Sequence, residues 1–90
     1  TKESAFFELP VFETLDEKTE TEIINAVFKE MSDKEKVIYR RRYIDKCNVR
    51  DIAGEYNISV STVTTRLYRI RQKAEEIVKR ELSERGIFND

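Results

Sequence analysis

Residues Asn48 to Lys73 read N-V-R-D-I-A-G-E-Y-N-I-S-V-S-T-V-T-T-R-L-Y-R-I-R-Q-K, and the fold turns on where this stretch breaks. Asn48 suits the cap of a first helix, with Asp51 three residues on as its reciprocal partner. Ile52, Ala53 and Tyr56 share one apolar face, and Ala53 is small where two helices approach closely. Tyr56-Asn57-Ile58 is the break, because Asn tolerates the left-handed backbone that a tight turn needs. Ser59 then caps a second helix that starts near Val60. A short helix, a turn and a second helix make a helix-turn-helix, whose second helix is built to enter the major groove of DNA.

The second helix has two faces. At about 100° per residue, Val63, Leu67, Ile70, Ala74 and Ile77 form a single apolar stripe that predicts a core side. Ser61, Thr65, Tyr68, Arg69 and Gln72 lie opposite, flanked by Thr64 and Arg66. From Ser59 to Lys73 there are four basic residues and no acidic one. Hydroxyls, an amide, an aromatic ring and guanidinium groups are the side chains that meet base edges and phosphates. Polar helix faces are most often merely solvated. The turn pattern before this one, and its lack of acids, favour a reading face instead.

Composition narrows the remaining choices. Ninety residues with two glycines, one proline and 39% charged residues point to one small all-α domain of about four helices with short connections. There is no apolar run of spanning length and no signal-peptide pattern, and no membrane partner is expected. The chain opens on Thr1, which reads as a piece of a longer protein. Cys47 is the single cysteine, which suits a reducing, cytoplasmic setting. With no histidine anywhere, the commonest general base and metal ligand are missing. Neither enzymatic activity, nor a metal, nor a cofactor is expected.

The net charge of −1 hides a division: residues 1–30 hold three bases and eight acids, residues 31–50 seven bases and three acids, and residues 51–90 seven of each. Association with a polyanion follows the local field rather than the total. Residues 1–18 show no clean period and read as an acidic irregular linker, leaving 19–90 as the domain proper. Thr19 with Glu22, and Ser32 with Glu35, match capping boxes. The first opens a helix to about Met31 with Ile23, Ile24, Val27, Phe28 and Met31 on one stripe. The second opens a helix holding Val37, Ile38, Tyr39, Tyr43 and Ile44 that ends near Asp45. The last helix runs on to about Arg85 with Gly86 as its stop, and Ile87 and Phe88 are placed to fold back on its last turn. At ~1.5 Å per residue it is roughly 35–40 Å long, so its far end must project or find a partner. Arg40, Arg41 and Arg42 spread over about 200° of a helix, so one or two can face phosphate while another pairs with a carboxylate. Arg50, in a first helical turn, can hold a phosphate together with backbone N–H groups.

The runs M-S-D-K-E-K-V-I-Y-R-R-R-Y-I-D and V-R-D-I-A-G-E-Y-N-I-S-V-S-T-V-T-T-R-L-Y-R-I-R-Q-K-A resemble region four of bacterial sigma factors, most of all the alternative, extracytoplasmic-function type. The matching positions are Val37, Arg42-Tyr43, Ile52-Ala53, Ile58-Ser59, Thr62-Val63, Arg66-Leu67, Arg69 and Arg71. The resemblance implies recognition of the minus-thirty-five promoter element and docking on the β flap of core RNA polymerase, with an anti-sigma factor as a further partner. It implies a bacterial, nucleoid-associated setting and an isolated domain that is monomeric. The resemblance implies Thr64, Thr65, Arg66, Tyr68 and Arg69 as DNA-reading residues; Ser61, Thr62 and Gln72 on the same helix and Arg50 complete the expected DNA-binding set, with Arg41 and Arg42 as expected phosphate contacts and Ile24, Val27 and Phe28 as expected polymerase-docking residues. Thr64 departs from the pattern, since many members carry Arg or Lys there. Ser32-Asp33, Asp51 and Gly54 depart as well. Two other readings stay open: a free-standing helix-turn-helix regulator, and a sigma-like module used for protein interaction.

Overall fold

Each helix begins where a side-chain oxygen takes up an otherwise unpaired N–H. In the computed structural model, which describes residues 10–87, a 3-10 turn Pro10–Thr14 leads to α1 (Glu17–Lys29), α2 (Asp33–Tyr43), α3 (Val49–Tyr56) and α4 (Val60–Glu84). No strand occurs among the described residues. The architecture is the expected all-α one, with a helix-turn-helix and a long last helix.

The Ser32–Glu35 capping box forms as expected: the Glu35 N–H donates to Ser32 Oγ at 3.1 Å and the Ser32 N–H to Glu35 Oε1 at 2.8 Å. Asn48 Oδ1 accepts from the Asp51 N–H at 2.8 Å. Ser59 Oγ accepts from the Thr62 N–H at 3.0 Å and opens α4. The first helix differs from expectation. Its cap is Asp16, whose carboxylate accepts from the Thr19 N–H at 2.7 Å, so α1 starts three residues before the Thr19–Glu22 pattern would place it. Asp16 offers a full charge to the positive end of the helix where Thr19 offers a hydroxyl.

Both left-handed closures stand where sequence placed them. Asn57 has φ 54° and ψ 46°, and the Asn57 and Ile58 N–H groups donate to Gly54 and Ala53. Gly86, at φ 74°, repeats the arrangement: its N–H donates to the Ser83 carbonyl and that of Ile87 to Leu82. These paired bonds are a Schellman closure. Phe88 lies outside the described residues. A third left-handed residue, Lys46 at φ 61°, follows α2, which ends at Tyr43, two residues before the expected Asp45.

The chain divides into two compact units, residues 31–72 and residues 1–30 with 73–90. In the first, Met31, Ile38, Tyr39, Ile52, Ala53, Val63, Leu67 and Ile70 are buried, and the Tyr39 and Tyr43 rings meet edge to face at 4.7 Å. Val37, Ile44 and Tyr56 stay exposed. Tyr56 is therefore no part of the α3 core face. It ends an eight-residue helix one step before the left-handed turn, and Ile52 and Ala53 fill the core without it.

In the second unit, Phe12, Ile23, Ile24, Val27, Ala74, Ile77, Val78 and Leu82 are buried. Arg80 bonds Glu30 and Glu81, and Arg85 bonds Glu81 and Glu22. The far end of α4 thus finds its partner in α1 of the same chain. Residues 1–9 of the expected linker lie outside the described residues. Its later part is ordered differently from an irregular linker, since Pro10–Thr14 winds one turn and Phe12 is only 2% exposed.

Candidate nucleic-acid interface

The turn at Asn57 and the cap at Ser59 set the axis of α4, and the buried stripe Val63, Leu67 and Ile70 sets its rotation. Ser61, Thr64, Thr65, Arg66, Tyr68, Arg69 and Gln72 are left exposed, with Thr62 half-buried. One helical face therefore displays all the expected reading residues of α4 except Thr62. The Thr62 hydroxyl lies 2.8 Å from Ser59 Oγ, inside the cap. Tyr68 is 61% exposed, and its phenol oxygen accepts from Gln72 Nε2 at 2.9 Å. Thr64 Oγ1 donates back to the Val60 carbonyl at 3.0 Å.

Arg66 and Arg69 line a shallow depression with Ser32, Lys34, Glu35 and Ile38. Lys34 was not among the expected residues. A contact between α2 and α4 has no local signature; its only trace in sequence is the excess of bases over residues 31–50. Arg50 is exposed in the first turn of α3, beside the Asn48 cap.

The three consecutive arginines take different surroundings. Arg41 donates to Glu55 on α3 and to Asp45 at 2.8 Å, two carboxylates that hold its guanidinium even more firmly protonated than usual. It ties α2 to the first helix of the motif, and a phosphate would have to compete with both acids for it. Arg42 lies over the Tyr43 ring at 5.8 Å, a cation–π arrangement. Arg40 is exposed.

Ile24 and Val27 are buried and Phe28 is half-buried. Ile24 and Val27 hold their unit together, and their burial leaves little of either side chain at the surface. The stripe that marks them as apolar is the core stripe of α1.

Charge follows the two units more sharply than it follows the chain. Residues 31–72 hold ten bases and five acids, and residues 1–30 with 73–90 hold seven bases and thirteen acids. No group of three His, Cys, Asp or Glu able to hold a metal occurs among the described residues, and none of their helices is long and apolar enough to cross a membrane.

A family model described as Sigma-70, region 4 matches residues 21–73, more than half of the chain. No curated protein and no solved structure matches it. The match spans α2, α3, the turn and the whole exposed face of α4 up to Lys73.

Proposed function

The chain belongs to the sigma-70 region 4 family, and from that premise we propose that this sigma-factor promoter-recognition domain reads the minus-thirty-five element with the exposed face of α4 and docks on the β flap of core RNA polymerase. The observation that carries the DNA reading is the acid-free exposed face Ser61–Gln72, set on a capped helix behind a left-handed turn. Thr65, Tyr68 and Arg69 lie within reach of base edges when α4 enters the groove, while Arg50 and Arg42 approach phosphates. Docking on the flap rests on family membership and takes exposed side chains, not Ile24 and Val27. An anti-sigma partner, an extracytoplasmic-function type and a cytoplasmic, nucleoid setting belong to the same reading.

The test is the salt dependence of duplex binding by the 90-residue chain, alongside a titration of the labelled chain with a β-flap fragment followed by NMR. A log–log affinity slope of about −0.9 per phosphate contacted is expected, with flap-induced shifts that leave the Thr64–Gln72 face undisturbed. A flat salt profile with flap binding intact would move the function to protein interaction. Salt-dependent binding by a dimer without flap binding would move it to a free-standing regulator.

A further inference from the structure

We propose that Val60, Thr64 and Tyr68 form an apolar seam on the reading helix that recognises thymine through its C5-methyl group. The inference rests on the promoter-reading proposal and deepens it. Residues four apart on a helix are neighbours, so Val60, Thr64 and Tyr68 follow one another along α4. Val60 is 44% and Tyr68 61% exposed, and Thr64 is exposed between them.

Single exposed apolar residues are ordinary; the chemistry of this row is less so. The Thr64 hydroxyl donates its proton to the Val60 carbonyl. It has no donor left for a base acceptor, so toward a partner it offers its methyl group and the hydroxyl's lone pairs. Gln72, one turn beyond Tyr68, donates to the phenol oxygen. That bond restrains the ring before any partner arrives and lowers the ordering cost of using it as a contact. Beside this row runs the polar one, Ser61, Thr65 and Arg69. The major groove carries one apolar recognition feature, the thymine methyl. A basic residue at Thr64 would seek guanine O6 and N7 instead.

The experiment uses a duplex selected from a random pool by the 90-residue chain, with each thymine in turn replaced by uracil, which differs only in lacking the methyl. At one or two positions uracil should weaken the wild-type chain about fourfold, the factor for one buried methyl-sized group. Tyr68→Ala should bind thymine and uracil duplexes alike, and Tyr68→Phe should keep the difference. Thr64→Arg should select guanine in place of thymine at the neighbouring position. A wild-type chain that selects a specific duplex yet ignores uracil everywhere overturns the seam while leaving promoter reading intact. Selection of no duplex at all overturns the promoter reading, and the seam with it.

Discussion

Leu67 and Arg69 stand two residues apart on α4, about 200° around its axis, and the proposed reading gives them opposite work. Leu67 is 8% exposed in the core of residues 31–72, whereas Arg69 is exposed on the proposed reading face. Leu67→Ala removes buried methyl groups and leaves a cavity, a loss of about 2–5 kcal/mol. Its residual exposure favours the lower half of that range. A domain of this size holds roughly 5–13 kcal/mol of stability. Each kcal/mol lowers its Tm by about 4–8 °C, so Leu67→Ala should melt at least 8 °C below wild type. Arg69→Ala removes an exposed side chain, for which a change within about 0.5 kcal/mol is usual. Its effect should appear in DNA binding. A lost phosphate contact reduces the salt slope by about 0.9, and a lost bidentate guanine contact costs about 1–3 kcal/mol at one base position. Circular dichroism melts give the first quantity, and fluorescence anisotropy at several salt concentrations gives the second. Equal losses of Tm in the two variants would refute the rotation of α4. So would an Arg69→Ala chain whose affinity, base preference and salt slope all match wild type.

Gly54 sits inside α3 with nothing within 4 Å of a Cβ built on it; Gly54→Ala should therefore stabilise the chain by about 0.5–1 kcal/mol, read as a higher urea midpoint, and a loss would mean that α3 is more crowded than it stands here. Asn57 is left-handed, so Asn57→Ala should cost about 1 kcal/mol or more while Asn57→Gly stays close to wild type; equal losses in denaturant melts would show that the side chain, not the backbone, matters. Hydrogen bonds from the Thr19 backbone N–H and hydroxyl hold the Asp16 carboxyl below its ordinary value of 3.8, and Arg80 and Arg85 act likewise on Glu30 and Glu81 relative to 4.5. Carboxylates lowered by folding stabilise above their unfolded values and lose that contribution as pH falls through the folded ones. Urea midpoints should thus hold from neutrality down to about pH 5 and fall below it, with a shallower fall in Asp16→Asn; midpoints that rise on acidification would reverse the assignment.

What could be read in advance divides by the range of the interaction. Ser32–Glu35, Asn48, Asn57, Ser59 and Gly86 act within five residues of themselves, and their caps and closures were legible because backbone hydrogen bonding is local. The α4 core stripe was legible for a related reason: helical period alone puts Val63, Leu67, Ile70, Ala74 and Ile77 on one side. Asp16 against Thr19 was a contest between two good caps three residues apart, which local pattern does not decide. The burial of Phe12, the pairing of Arg41 with Glu55, and the joining of Lys34 to Arg66 and Arg69 depend on which helices meet. Ile24 and Val27 mark a different limit. An apolar stripe announces that a face will be covered, and leaves open whether another protein or the chain's own last helix covers it.

The charge division explains how a chain of net −1 can hold a DNA-reading surface at all. At physiological ionic strength a charge is felt over a Debye length of about 8 Å. A phosphate near Arg66 or Arg69 therefore responds to neighbours on α4 and α2 rather than to the whole chain. Along α4 no acid appears from Ser59 to Lys73, and then Glu75 and Glu76 follow. The rise from Arg69 to Glu75 is about 9 Å, close to that screening length. On the proposed reading, the helix is most attractive to DNA over its first half and less so just beyond it, where Glu75 and Glu76 stand among Lys73, Lys79 and Arg80. Glu76→Gln should then raise duplex affinity and do so more at low salt than at high. An affinity gain that is the same at every salt concentration would point instead to a change in packing.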